Sequence, residues 1–335
     1  MSDLDVAPLQ AYLASHLPEA MSISEITRIS GGQSNPTYFV TMPRSRLVLR
    51  KKPAGVILPS AHAVDREFRV QRALADSAVP VPRMRLYCDD VTVIGTAFYV
   101  MDHVPGRVFS ECWMPGVAPD RRRTMFLAMA ETLAALHNVD YREADLSDFG
   151  KTGDYYGRQI ARWSRQWEMS RSAPNPDVDR VIEWLTANVP RDVKATINHG
   201  DFRIGNLIFD AASGRVAAVI DWELATLGDP LADVAYSALA WLLASDEYMG
   251  MADRDLEALG IPTQQEYLDH YAQLAPESGR IGTFHFVFAL FRLTGIFEGI
   301  AARARSGTEV SANAAEVGRL AGRFARRAIN LLERG

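Results

Sequence analysis

Cysteine is scarce. Cys88 and Cys112 are the only two in 335 residues, and they form no CxxC pair. A disulfide framework is therefore excluded, and a reduced compartment, the cytoplasm, is the simple expectation. Excess positive charge is also lacking: 36 Lys and Arg stand against 41 Asp and Glu, a net −5. An acidic total argues against general nucleic-acid binding, which needs a basic footprint. It leaves room for a small anion, because a local nest of cations and backbone N–H groups can hold a nucleotide. No apolar stretch is read as reaching the ~18 residues that span a bilayer. The opening segment MSDLDVAPLQAYLASHL has no basic region leading into an apolar run, so it does not read as a signal peptide. Internal repeats and low-complexity tracts are missing. What remains is an ordinary globular balance, 48% hydrophobic and 23% charged, sufficient for one large domain or two modest ones.

The chain changes character near Gly106. Before it, after an amphipathic helix over 4–17, β-like runs fall at 23–30, 37–42, 46–52, 83–88 and 96–104. They are punctuated by GGQSN, PRS and VPVP, and one helix, SAHAVDREFRVQRALADS, is inserted. After it, helical stretches dominate: 120–137, 155–167, 178–188, about 230–245, 263–274, 279–305 and 309–334. Three short strands, 195–198, 207–209 and 216–220, interrupt them. The expected organisation is α+β, with a small, mainly antiparallel lobe over 1–104 and a larger helical lobe over 105–335.

The chemistry concentrates in His199-Gly-Asp201-Phe-Arg-Ile-Gly-Asn206, a loop between two strands. A kinase catalytic loop has H-R-D with Asn five residues after the Asp, and 206 − 201 is the same five. A hydroxyl nucleophile needs a carboxylate to accept its proton, the role open to Asp201. A phosphate-bridging metal wants hard oxygen ligands, which Asn206 supplies from the same loop. Ile220-Asp221-Trp222-Glu223 follows the apolar strand VAAVI, so Asp221 is a second candidate metal ligand. Either Asp201 or Asn206 alone would be read as a turn residue bonding its own backbone. The ordered set of His, Asp, Asn and Asp at strand ends is what favours catalysis.

HGDFRIGNLIFD with IDWELATLGDPLADVAY resembles the aminoglycoside phosphotransferase and choline kinase superfamily, whose fold is similar to that of protein kinases. The likeness runs from ISGGQSN to about residue 305. GGQSNPTYFV, LVLRKKP, FYVMDHVPG and FRLTGIFEGIAARARSG are most similar to the phosphotransferase domain fused to certain acyl-CoA dehydrogenases. The resemblance implies a bilobal protein-kinase-like fold, ATP and Mg2+, and a hydroxylated small molecule as acceptor.

The first lobe is read in the same frame. Gly31, Gly32, Gln33, Ser34 and Asn35 join two strands; glycines let backbone N–H groups approach phosphate, and Ser34 adds a hydroxyl. An ordinary hairpin turn is the alternative, and the loop departs from G-x-G-x-x-G. By resemblance, Arg50 stands where a kinase has its phosphate-binding lysine, with Lys51 and Lys52 as rivals. Strand alternation gives Val48 and Arg50 one face and Lys51 the other. Glu67 shares a helix face with Val70, Gln71 and Leu74, and a buried acid needs a partner, for which Arg50 is the candidate. The alternative is an exposed Glu67 paired with Arg66 or Arg69. By resemblance, Met101 backs the adenine slot, and the Asp102 carbonyl and Val104 N–H pair with the purine edge. Asp229-Pro230 reads as a helix start, Asp233 as a brace for the catalytic loop, and His199 as support. Gly150-Lys151-Thr152 mimics a P-loop, but the required earlier glycine is Asp145, so it is set aside.

The acceptor is less legible. Aminoglycosides are polycations and call for a carboxylate-rich site, whereas FHFVFALFRLTGIFEGIAARAR is apolar and ends basic. That favours a less cationic acceptor with apolar and anionic parts, and the resemblance to the acyl-CoA-dehydrogenase-linked domains implies a hydroxyacyl-CoA or hydroxy acid and a functional link to an acyl-CoA dehydrogenase. An aminoglycoside or other antibiotic, and a nucleotide-binding pseudokinase-like regulator, stay open as alternatives. A basic helix end favoured by the dipole explains the same residues without any ligand.

Overall fold

The computed structural model describes residues 4–17, 22–29, 35–53, 63–191, 194–307 and 318–334. In chain order the elements are α1 (Val6–His16), β1 (Glu25–Arg28), β2 (Thr37–Thr41), β3 (Arg46–Lys51), α2 (Val64–Ala73), β4 (Met84–Cys88), α3 (Val91–Ile94) and β5 (Phe98–Asp102). Then come α4 (Pro119–His137), α5 (Tyr155–Ser170), α6 (Pro176–Ala187), β6 (Thr196–Asn198), β7 (Leu207–Phe209), β8 (Val216–Val219), β9 (Thr226–Gly228) and α7 (Pro230–Ala238). Helices α8 (Gln264–Leu274), α9 (Thr283–Ser306) and α10 (Leu320–Arg334) complete the chain.

The chain divides into two compact units. The first takes in Met1–Val108, Tyr141–Phe149 and Asn206–Ala225. Its sheet has the order β1-β2-β3-β5-β4, with every pair antiparallel. Alternation along β3 sorts its side chains. Leu47 and Leu49 join Leu9 and Leu13 of α1 with Val40, Phe98 and Val100 on one face. Val48 joins Val64, Tyr99 and Met101 on the other. Each large apolar side chain so buried contributes roughly 1.5–3 kcal/mol.

The sequence-based division at 104 differs from this in one respect. The β7–β8 hairpin and residues 141–149 belong with the sheet, for a local reason. Arg107 and Phe209 exchange two backbone hydrogen bonds, at 2.8 and 2.9 Å, and Val219 N–H donates to the Pro80 carbonyl at 2.8 Å. Gly106 permits that approach, since a Cβ there would lie 2.6 Å from the Phe209 carbonyl oxygen. On the other segment, Asp148 holds Arg69 at 2.5 Å.

The second unit comprises Phe109–Asp140, Gly150–Gly205 and Thr226–Gly335. β6 pairs antiparallel with β9; α5, α6, α7 and α10 pack against α9, and α4 packs against α8. This corrects one expectation: α9, at 24 residues, is long and apolar enough by composition to cross a membrane. Here 83% of its most apolar window is buried against neighbouring helices, with Val287, Leu290, Phe291 and Leu293 all at 1% exposure or less. The remaining helix expectations are met closely, except that 230–245 stops at Ala238 and gives way to a 3-10 turn, Leu239–Trp241. The last helix is described from Leu320. α3 and β9 escaped the sequence reading: a single turn has no periodicity to detect, and β9, TLG, carries a glycine of poor strand propensity.

Candidate active site

In the first unit the site is built around Arg50. β3 carries it on the Val48 face, opposite Tyr99 of β5. Arg50 Nε lies 2.8 Å from Glu67 Oε2, as an ion pair rather than an aligned hydrogen bond. Arg50 Nη2 donates to Asp221 Oδ1 at 2.7 Å, and Nη1 donates to Thr37 Oγ1 at 3.3 Å. Glu67 is only 1% exposed. Asn35 Nδ2 donates to its Oε1 at 2.6 Å and the Tyr99 hydroxyl to its Oε2 at 3.0 Å. Burial pushes the Glu67 pKa up, and Arg50 opposes that shift. Burial likewise works against the Arg50 charge, but Glu67, Tyr99, Asp221 and Glu223 outweigh it and raise its pKa. Lys52 is engaged elsewhere, 4.0 Å from Asp65. Arg66 donates to the Phe149 carbonyl and Arg69 pairs with Asp148, so neither serves Glu67.

The hairpin β7–β8 brings Asn206 and Asp221 to one end. Leu207 pairs with Val219, and one step further Ile220 N–H donates to the Asn206 carbonyl at 2.9 Å. Asp221 adopts a left-handed backbone, φ 67° and ψ 60°, a conformation that Asp tolerates better than most side chains. That turn leads the chain off the strand and aims the carboxylate at Arg50. Among the described residues no three His, Cys, Asp or Glu side chains gather into a self-sufficient metal cage. One carboxylate and one amide on a hairpin end do fit magnesium in chemistry. That ion binds through one or two protein oxygens and takes its other ligands from phosphate and water.

Met101 is buried on the Val48 face, and Asp102 Oδ1 accepts from Arg85 Nε at 2.6 Å. Val104 lies two residues on, after His103. Gly31, Gly32, Gln33 and Ser34 lie outside the described residues.

Asp201 belongs to the second unit. Its loop is held by Asp233 of α7, which is 1% exposed. Asp233 Oδ2 accepts the His199 N–H at 2.6 Å and Oδ1 the Gly200 N–H at 3.0 Å. Gly200 sits at φ 84°, where a side chain would strain the turn. His199 Nδ1 accepts the Asp201 N–H at 3.1 Å, so the imidazole supports the loop. His137 Nε2 stands 3.8 Å from Asp233, beyond hydrogen-bond range, while its Nδ1 meets the Tyr271 hydroxyl at 2.6 Å.

The Asp201 carboxylate, 18% exposed, receives the Tyr236 hydroxyl on Oδ1 at 2.6 Å and Arg203 Nε on Oδ2 at 3.2 Å. Arg292 of α9, buried, donates to the Gly200 carbonyl and lies 5.0 Å over the Tyr236 ring. Sequence reasoning missed Tyr236, Arg203 and Arg292. One signal was at hand: Tyr236 is three residues after Asp233, so both reach from one helix face. Gly150, of the rejected P-loop mimic, has a packing reason, because a Cβ there would lie 2.7 Å from the Leu227 nitrogen.

Comparison with known proteins agrees with this architecture. The sequence profile described as "Phosphotransferase enzyme family" matches residues 25–276. Acyl-CoA dehydrogenase family member 10 of Mus musculus is 42% identical over 317 residues, covering 93% of this chain; the chain spans only 29% of that protein's length. A Ralstonia eutropha protein provisionally named an aminoglycoside phosphotransferase has a crystal structure that superposes with a TM-score of 0.87. It is 36% identical, with 99% of each chain covered. The aminoglycoside phosphotransferase APH(4)-Ia, solved with AMP-PNP and hygromycin B, has a TM-score of 0.62 at 17% identity, covering 96% of this chain and 99% of its own. At that identity it speaks for the kinase-like α+β fold alone. With three quarters of its length matched by one profile and its fold shared end to end, the chain belongs to the phosphotransferase enzyme family.

Proposed function

We propose that the protein transfers the γ-phosphoryl group of ATP to a hydroxyl of a small molecule. The observation that carries this reading is the Arg50 guanidinium held between buried Glu67 and Asp221. A cation braced from behind by a buried acid is pre-oriented for phosphate. Asn35 and Tyr99 fix Glu67, so the brace itself does not turn. Asp221 and Asn206 would hold Mg2+. That ion, when bound, neutralises phosphate charge and eases departure of the ADP oxygen. Asp201 accepts the proton of the acceptor hydroxyl as its oxygen bonds to phosphorus and the bond to ADP breaks. The Tyr236 hydroxyl orients the Asp201 carboxylate, and Asp233 fixes the loop beneath it. Most of the acceleration comes from positioning and fixed charge.

For the acceptor we favour a hydroxyacyl-CoA or a hydroxy acid. Support comes from the relative named as an acyl-CoA dehydrogenase, whose similarity covers nearly the whole of this chain. The relative provisionally named an aminoglycoside phosphotransferase supports the other reading, an antibiotic acceptor.

The test is Asp201→Asn, assayed for ADP release with a panel of hydroxy acids, hydroxyacyl-CoAs, sugars and aminoglycosides. Turnover should vanish while ATP binding, read by calorimetry, stays within about twofold of wild type. Normal turnover in that variant overturns the assignment of the base. Absence of ADP release from the wild type with every acceptor favours a nucleotide-binding regulator.

A further inference from the structure

Helices α5 and α9 carry a second cluster beside the catalytic loop. Arg292, on α9, is 7% exposed. Its recorded partners are the Gly200 carbonyl and the faces of Tyr236 and Trp163, with no carboxylate within 4 Å among the described residues. Two guanidiniums lie near the Trp163 ring of α5: Arg162 is 5.3 Å from its centre and Arg292 5.9 Å. Arg162, which is exposed, likewise has no carboxylate within 4 Å among the described residues. The Trp163 indole N–H is buried without a hydrogen-bond acceptor. Gly295 sets the indole in place, since a Cβ there would press on Trp163 Cε3 at 3.1 Å.

Each of these features is costly alone. A buried guanidinium without a carboxylate in direct contact regains only part of its lost solvation, and an unsatisfied buried N–H forfeits a hydrogen bond. Two like charges beside one indole repel as well. Partial desolvation, and then the charge of Arg292, hold the Arg162 pKa below its ordinary value. One species would satisfy all three groups together: an oxyanion, which accepts from guanidinium and indole donors and neutralises the cations.

We propose that Arg292, Arg162 and the Trp163 indole N–H form a receptor for an anionic group, carboxylate or phosphate, on the phosphoryl acceptor. The proposal rests on the kinase reading above and narrows its acceptor to anions. The link to the chemistry is direct, because Arg292 also holds the carbonyl of Gly200, the residue before Asp201. A polycationic acceptor would face two unpaired guanidiniums, which disfavours the antibiotic reading.

The test uses the full chain and three matched probes: a short-chain hydroxy carboxylate, its neutral methyl ester, and the phosphate monoester of the corresponding diol. ADP release gives kcat and KM, and calorimetry gives probe binding independently of turnover. At least one anionic probe should exceed the ester about tenfold in kcat/KM, the worth of one net charge-assisted contact. The better of the carboxylate and phosphate arms identifies the source of the anion. Arg162→Gln should raise the KM of the preferred anion about tenfold and leave the ester unchanged. Gly295→Ala, which keeps every charge but displaces the indole, should erode the same preference. An Arg292 that only braced Gly200 would lower kcat for all acceptors alike in Arg292→Gln. Equal kcat/KM for ester and anions, or no effect of Arg162→Gln on the anion, overturns the receptor even if ADP is formed. Anion binding that Arg162→Gln weakens, without ADP release from any probe, supports the receptor and defeats the kinase reading instead.

Discussion

Glu67→Gln is the sharpest test of the first-unit cluster, because it changes charge without changing shape. Glu67 presents two oxygens to three donors: Arg50 at 2.8 Å, Asn35 at 2.6 Å and Tyr99 at 3.0 Å. A glutamine has one oxygen, and its NH2 must face a donor, so at least one buried donor is left unsatisfied. Arg50 keeps Asp221 at 2.7 Å, but that carboxylate is one-third exposed and screened by solvent. Removing one member of a buried pair costs about 3–5 kcal/mol, and the remaining Asp221 contact argues for the lower end, roughly 3 kcal/mol. In a chain of this size that corresponds to a melting-temperature loss of roughly 6–12 °C for the unit that holds it. Arg50→Gln alone should cost about as much. The double variant should cost about 2 kcal/mol less than the sum, since the second change removes a group already orphaned by the first. Calorimetric melts of all four proteins give the cycle. Effects that add within about 0.5 kcal/mol would refute the coupling and return Glu67 to a bystander role.

Three further changes probe the second unit. Tyr236→Phe removes the hydroxyl on Asp201 Oδ1; kcat should fall about 10–100-fold with little change in the KM for ATP, in steady-state assays. Asp229 caps α7 through the Leu231 N–H at 2.8 Å, and burial pushes its pKa up to about 6. The folded state thus favours its proton: that stability is full below about pH 4 and is lost as pH rises through about 6. Asp229→Asn keeps the cap and should gain about 3 kcal/mol on wild type at pH 7, whereas Asp229→Ala forgoes about 1 kcal/mol of capping; melts across pH 4–8 separate them. His285 accepts the Gly282 N–H at 3.1 Å, and burial pushes its pKa down to about 4. Its contribution is present above about pH 6.5 and lost as pH falls towards 4, the opposite slope; His285→Gln should remove about 3 kcal/mol of that acid sensitivity, read from the same melts.

The fold was legible wherever one face of an element had to be buried. β3 sorts Leu47 and Leu49 from Val48 and Arg50 by alternation alone, and α2 sets Glu67 on its buried stripe by helical spacing. Local spacing also exposed the catalytic loop, because Asp201 and Asn206 share one turn-rich segment. Features made by pairing across long separations were illegible. The bond from Arg107 to Phe209 moves a hairpin from the expected helical lobe to the sheet, yet nothing in either residue type announces it. The Arg162, Trp163 and Arg292 cluster joins positions some 130 residues apart on two helices, and each reads locally as an ordinary helical residue.

Four of the five aspartates in the segment from Asp201 to Asp233 make the same point chemically. As letters they are equivalent; their surroundings separate them. Asp233 spends both oxygens on backbone amides in a nearly closed site. Burial opposes its charge, but the His137 side chain, His199 and Arg292 outweigh it, so its pKa lies below the ordinary range. Asp229 spends an oxygen on a helix end, and burial moves it the other way. Asp221 is turned by a left-handed backbone onto a guanidinium, the posture of a charge carrier. Asp201, 18% exposed, meets a hydroxyl and a guanidinium rather than fixed amides. A base must accept a proton and release it within each turnover. A carboxylate locked to two backbone N–H groups would have to break the loop to do so, whereas one held by a rotatable hydroxyl need only let that hydroxyl turn.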